Sequence, residues 1–463
     1  MTDPVAAEMP LPEGLRDNLE NVLKQFVEKE RQADKLRGEQ ELLDGKQTNG
    51  ISDAALFHHY RQAFTIQPAT PQRTQGGSRP INFAEYDLYR GNSILIYGKM
   101  PEDAPKRTIS LDSDPDVDLP DDLFAFRGTI GDIGRHEITI GLEISMTGSR
   151  FDLRDTLTDI NTTFSNAARI KVASTHNPVP FDRQKDAIST LKDYPERWGL
   201  LTGRTTATFN ADANENSTAH DVELYTNHAQ RQAIEHSLTA DDIAVLHGPP
   251  GTGKTRVIIE IVRRLVEAGN RVLVTAPSNP AVDNVLIGAT ASGQDVDERS
   301  LHHAASVDRF SLGRLNTDSD KTAPFAAATY NDTSGSEDVV ASTLSSAAEV
   351  HEFDYAIVDE ATQATKGETA IAMAHADTTI LVGDHKQLPP VVQGDLDDGL
   401  STFSLSQLYG DSVGDPVAAL ERLYRESLFE HLYGDNGVYG SELGVQFTTQ
   451  YRMHRDICEF RLC

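Results

Sequence analysis

From residue 222 onward the chain alternates short apolar runs with helical stretches, and this rhythm constrains the fold more than any other feature. "DIAVLHG" reads as a strand, 254–268 as a helix and "RVLVTA" as the next strand, with a helix following near 280–290. "DVVAST", "DYAIVDE" and "TTILVGD" continue the strand series. Short, near-continuous apolar strands between helices predict an α/β fold: a parallel sheet with helices on both faces. The acidic, Ser/Thr-rich stretch 291–337 reads as loop-rich surface.

Upstream the pattern differs. Residues 11–45 predict a helix, with Leu15, Leu19, Val22, Leu23, Phe26 and Val27 on one face that docks on the body of the protein. "IQPATPQRTQGGSRP" (66–80) reads as a loop or linker. Between 85 and 180, "NSILIYG", "HEITIGLEIS" and "ARIKVAS" predict strands separated by glycine breaks, consistent with a small β-barrel. Helices are expected over 153–166 and at "VPFDRQKDAISTLKD". The pattern divides the chain into a helical segment and linker (1–84), a strand-rich region (85–215), an alternating α/β domain (216–445) and a short remainder (446–463).

"HGPPGTGKT" supplies the first chemistry. It follows an apolar strand and opens a helix, the context in which a phosphate-binding loop works. In Gly248, Pro249, Pro250, Gly251, Thr252 and Gly253 the glycines let backbone N–H groups turn toward phosphate oxygens, at the positive end of a helix. Lys254 then reaches the β- and γ-phosphates of ATP, and Thr255 offers its hydroxyl to Mg²⁺. "DYAIVDE" ends in Asp359 and Glu360. Asp359 is the second candidate Mg²⁺ ligand, and Glu360 the candidate base for the attacking water. These elements define an ATPase; "GPPGTGKT" also occurs in AAA+ remodelling ATPases, which leaves that alternative open.

Five further segments carry a resemblance. "NHAQRQAI" (227–234), "TAPSNPAVDNV" (275–285), "VGDHKQLPPVV" (382–392), "SLFEHL" (427–432) and "QYRMH" (450–454) occur in that order. Together with the P-loop they resemble the superfamily 1 helicases, in the branch of the nonsense-mediated-decay and immunoglobulin-mu-binding helicases. The resemblance covers about 222–454. It implies a RecA-like P-loop motor domain (216–445), preceded by a barrel and stalk-like accessory domain (85–215) and followed by the start of a truncated second motor domain (446–463), and ATP-driven 5′→3′ movement along single-stranded DNA or RNA. It also implies residue roles: Gln230 reads the adenine edge, Tyr451 stacks on adenine, Ser278 and Asn279 touch the nucleic-acid backbone, and Gln387 senses the γ-phosphate. Arg452 reaches the γ-phosphate from a second motor domain, a contribution of about 10³–10⁵ in rate in comparable hydrolases. The family continues beyond such an arginine through motifs not found here, so a truncated, frameshifted or split gene is expected, with a separately encoded second motor half as a partner.

Charge bears on that partner. Asp and Glu total 71 against 42 Lys and Arg, a net charge of −29. Of those bases 13 are Lys and 29 Arg. An acidic, Lys-poor surface predicts adaptation to very high salt. At molar salt the Debye length falls to about 3 Å, so a distant acidic surface barely repels a phosphate. Strand binding would then rest on backbone hydrogen bonds, stacking and shape. The only cysteines are Cys458 and Cys463, which excludes a disulfide framework or a Cys-based zinc site. "MTDPVAAEMPLPEG" shows no secretory signal and no apolar run is long enough to span a membrane, so a cytoplasmic location is expected.

Overall fold

The computed structural model describes residues 13–46, 50–60, 63–68, 73–74, 77–78, 83–86, 88–99, 123–142, 170–203, 205, 207–210, 227–317, 321–394, 423–435, 437–440 and 443–451. The chain divides into two units, one of Glu28–Phe181 and one of Met1–Val27 with Asp182–Cys463. Helix α1 (Glu13–Leu43) contributes to both.

The smaller unit is built on a closed antiparallel barrel. Its strands are β1 (Ile51–Tyr60), β2 (Ala63–Pro68), β5 (Ser93–Lys99), β6 (Leu123–Ile133), β7 (Ile138–Leu142) and β8 (Ile170–Ser174), ordered β1-β2-β7-β6-β5-β8. A separate two-stranded piece joins β3 (Arg73–Thr74) to β4 (Gly77–Ser78). Phe64, Ile66, Ile94, Ile96, Ile138, Ile140 and Val172 fill the barrel, as alternation along each strand requires. Glu39 on α1 is fully buried and accepts a two-pronged bond from Arg127 at 2.7 and 2.8 Å.

This barrel begins at residue 51, not 85. The stretch "ISDAALFHHY" carries no clean apolar alternation, so its strand character emerges only from pairing with β2 and β8. Part of the expected linker 66–80 is likewise strand. The helix expected over 153–166 lies outside the described residues.

The larger unit holds seven strands, all parallel, in the order β11-β12-β10-β13-β14-β9-β15. In chain order its elements are α2 (Val179–Lys192), α3 (Pro195–Leu201), α4 (His228–Leu238), β9 (Ile243–His247), α5 (Lys254–Glu267), β10 (Val272–Ala276), α6 (Asn279–Leu286), α7 (Leu301–Asp308), β11 (Leu312–Arg314), α8 (Pro324–Thr329), β12 (Val339–Thr343), α9 (Leu344–Ala347), β13 (Phe353–Val358), α10 (Lys366–His375), β14 (Ala376–Gly383), α11 (Leu428–Tyr433) and β15 (Gly444–Gln446). The RecA-like α/β expectation is met. Helix α5 shows why: Val257, Ile258, Ile261, Val262 and Leu265 share one stripe, and all are buried against the sheet. In α1 the described members of the expected stripe, Leu19, Val22, Leu23, Phe26 and Val27, are buried, and Phe26 packs on Tyr424.

Two boundaries move. The stretch 291–337 is not merely loop: it contains α7, edge strand β11 and α8. Strand β11 has three residues, one of them a fully buried arginine, so no apolar period announces it. The parallel sheet also runs past 445. Gln446 pairs with His247 and Phe447 is buried in the hydrophobic core of that sheet, so the boundary expected at 446 falls within its last strand. Among the described residues no helix is long and apolar enough to cross a membrane.

Candidate nucleotide-binding site

Strand β9 is buried throughout and ends where the glycine-rich loop begins. The loop closes on itself: Thr252 Oγ1 donates to the Pro249 carbonyl at 2.7 Å, and Lys254 Nζ to the Gly248 carbonyl at 2.9 Å. Gly251 and Gly253 have φ of 81° and 89°, the left-handed region that side chains resist. A Cβ at Gly253 would lie 2.6 Å from Gln230 Nε2.

Gln230 is nearly fully buried and braces this loop. Its Nε2 donates to the Thr252 carbonyl at 2.9 Å. Its Oε1 accepts from Asn227 N–H at 3.0 Å while Asn227 Oδ1 accepts from Gln230 N–H at 2.9 Å, a reciprocal cap on α4. Asn227 Nδ2 donates to Tyr451 Oη at 2.8 Å, and Tyr451 N–H donates to the Gly251 carbonyl at 2.8 Å. Residues 224 positions apart thus meet at the loop, with Tyr451 63% exposed. Arg452 lies outside the described residues.

The acids stand at the end of β13. Asp359 N–H donates to the Thr275 carbonyl at 2.8 Å, and its side chain is buried. Burial, then the neighbouring Glu360 charge, pushes its carboxyl up to about 6 against the pull of Lys254. Glu360 is left-handed at φ 51°, and its N–H donates to Asp359 Oδ1 at 3.0 Å. Its Oε1 lies 3.9 Å from Lys254 Nζ, while its buried Oε2 has no hydrogen-bond partner. A buried carboxylate that resists ionisation beside an unpartnered acidic oxygen is a donor set that a hard divalent cation fits. Thr255, the second residue of α5, is half-buried.

Gln387 sits one turn beyond β14. Its Nε2 donates to Asp384 Oδ2 at 3.3 Å and its N–H to the Asp384 carbonyl at 2.9 Å. Asp384 Oδ1 also accepts from His247 Nε2 at 3.0 Å and from Lys386 N–H at 3.1 Å. Burial opposes its ionisation, yet these bonds, His247 first, hold the carboxyl down at about 2. Sequence reasoning missed both His247 and Asp384; their signal is position, flanking Gly248 and preceding Gln387.

Ser278 is exposed and caps α6, its Oγ accepting from Ala281 N–H at 3.4 Å. Asn279 Oδ1 instead accepts from Arg314 Nη2 at 2.6 Å. Arg314 is fully buried, with Nε 3.2 Å from Asp283 Oδ1, and Asp283 Oδ2 accepts from Ala323 N–H at 2.7 Å. Neither Arg314 nor Asp283 was predicted.

Residues 225–309 and 319–395 match the model of a family described as an AAA domain. Over 209 residues the chain is 34% identical to the DNA replication ATP-dependent helicase/nuclease DNA2 of Saccharomyces cerevisiae, covering 42% of this chain and 13% of that protein. Over 338 residues it is 26% identical to the DNA-binding protein SMUBP-2 of Rattus norvegicus, covering 61% of this chain and 31% of the relative. The matched stretches span less than a third of either relative's own length. A solved structure described as DNA unwinding at forked dsDNA by two coordinating Pif1 helicases is 14% identical, covering 50% of this chain and 46% of that one, at a TM-score of 0.24. That score is too low for the likeness to bear on the site. Within the matched segment, the glycine-rich loop, the Asp359–Glu360 pair and the Asp384–Gln387 turn leave the same ends of β9, β13 and β14, where open α/β sheets gather their ligands.

Proposed function

We propose that residues 227–451 are the first motor domain of an ATP-dependent helicase or translocase acting on single-stranded nucleic acid. The observation that carries this reading is the meeting of Lys254 and Glu360, 3.9 Å apart, at a glycine loop braced by Gln230 and Tyr451. Lys254 and the loop N–H groups would bind the phosphates of ATP. Thr255 and Asp359 would hold Mg²⁺, which when bound neutralises phosphate charge. Glu360, with one buried oxygen free, would take the proton of the water that attacks the γ-phosphorus as the bond to the bridging oxygen breaks. Gln387 would follow the γ-phosphate and pass its presence to Asp384.

Tyr451 would stack on adenine. Gln230 spends both ends of its amide on the protein, which favours a role in shaping the loop as well as meeting the base. Ser278 is the better placed of the two strand candidates, since Asn279 is occupied by Arg314. Arg452 and a second motor half would complete the γ-phosphate contacts. Both relatives carry DNA in their names, which favours a DNA strand over RNA.

The test is binding of a fluorescent ATP analogue to purified 1–463 with Mg²⁺, with Lys254→Ala as the comparison, followed by ATPase assays with and without single-stranded DNA. Saturable binding that Lys254→Ala lowers by at least tenfold is expected, with slow turnover. Equal binding by both proteins refutes the assignment of the site, and rapid unwinding by this chain alone refutes the need for a second half.

A further inference from the structure

The register of β9 and β14 pairs His247 with Gly383, and so delivers three metal-binding side chains to one spot where the strands end. They are His247, Asp384 and His385, and one candidate ligand atom from each lies within 4.8 Å of the others. His247 Nε2 is 3.0 Å from Asp384 Oδ1, and the two imidazole centroids are 4.4 Å apart. His247 and Asp384 are 1% and 3% exposed. The Nδ1 atoms of His247 and His385 are both buried without a hydrogen-bond partner. Of these, His385 Nδ1 is the nitrogen left open to a ligand, since its Nε2 is held by Asp435, while His247 offers the Nε2 that already meets the Asp384 carboxylate.

We propose that His247, Asp384 and His385 bind a divalent transition-metal ion of the zinc class, at a site separate from the Mg²⁺ expected at Thr255 and Asp359. Two imidazoles and one carboxylate suit Zn²⁺ or Co²⁺, whereas Mg²⁺ and Ca²⁺ take oxygen ligands. His385 Nε2 already lies 3.1 Å from Asp435 Oδ1, the carboxylate partner that orients a ligating imidazole through its other nitrogen. Tetrahedral ligands about 2.0–2.1 Å from zinc sit about 3.3 Å from one another. The His247–Asp384 pair meets that spacing, and small rotations of the rings bring in the third ligand. Binding displaces the proton that His247 shares with Asp384, and that proton leaves to solvent. It also draws on the carboxylate that Gln387 reaches, so metal occupancy alters the turn beside the P-loop.

The test uses the full chain carrying Cys458→Ser and Cys463→Ser, titrated with Co²⁺ alone and followed by its visible d–d absorption. Nucleotide is absent, so failure of the helicase reading leaves the result unaffected. One Co²⁺ per chain with a tetrahedral band, bleached by Zn²⁺, is expected. His385→Gln should abolish the band while keeping the parent's far-ultraviolet circular dichroism. Asp435→Asn, at an exposed carboxylate, should weaken Co²⁺ about tenfold. Absence of a band in the parent, or a band of undiminished affinity in both variants, overturns the proposal.

Discussion

Replacing Asp359 with Asn tests the electrostatics of the site before any turnover is measured. Burial and the Glu360 charge raise this carboxyl from 3.8 to about 6, a penalty of about 3 kcal/mol on its ionised form. Because the folded value is raised, the native state gains most below pH 3.8 and loses that gain as pH climbs through about 6. At pH 8 the wild-type chain carries the full penalty, and Asp359→Asn does not. The amide can still accept from Glu360 N–H, as the carboxylate does at 3.0 Å. Ligand-free Asp359→Asn should therefore melt about 5 °C higher than wild type at pH 8, and at nearly the same temperature at pH 4. With Mg²⁺ and nucleotide the order should reverse at pH 8, since only the carboxylate holds the cation. Differential scanning fluorimetry across pH, with and without Mg²⁺-nucleotide, reads all of these outcomes. A ligand-free variant no more stable than wild type at pH 8 would refute the buried-charge reasoning.

Gly253→Ala places a Cβ 2.6 Å from Gln230 Nε2 at a φ of 89°; a loss of about 1–3 kcal/mol and of nucleotide binding is expected from denaturant melts and a binding titration. Arg314→Met leaves Asp283 without its buried cation. It should cost about 3–5 kcal/mol, while Arg314→Met with Asp283→Leu recovers part of the loss, as a double-mutant cycle will show. With a net charge of −29, the chain should melt at rising temperature as KCl goes from about 0.1 M to about 1 M; a flat response argues against adaptation to salt.

The larger, α/β unit was legible because its signals are local. A buried parallel strand is a short apolar run, and a phosphate loop is a run of glycines before a lysine. Asp359 and Glu360 could be named because they end such a strand. What escaped depends on pairing across distance. The strand "ISDAALFHHY" reads as nothing alone and becomes barrel wall through β2 and β8. Arg314 looked like one more charge in a polar stretch until Asp283 and Asn279, 31 and 35 residues earlier, closed around it. His247 and Asp384 are 137 residues apart, and only the β9–β14 register makes them neighbours. Asn279 shows the converse: its segment could be recognised, but the inward turn of its side chain could not.

The three-residue strand β15 has a mechanical meaning. It lies alongside β9, and the chain leaving it returns Tyr451 N–H to Gly251. A strand advances about 3.3 Å per residue, so a one-residue slip of β15 would carry Tyr451 clear of that carbonyl and turn Phe447 out of the core. The sheet edge and the mouth of the loop are therefore geared together. Tension applied to the chain beyond Tyr451 pulls directly on the glycine-rich loop at Gly251, and anything that rigidifies the loop stiffens the edge strand in return.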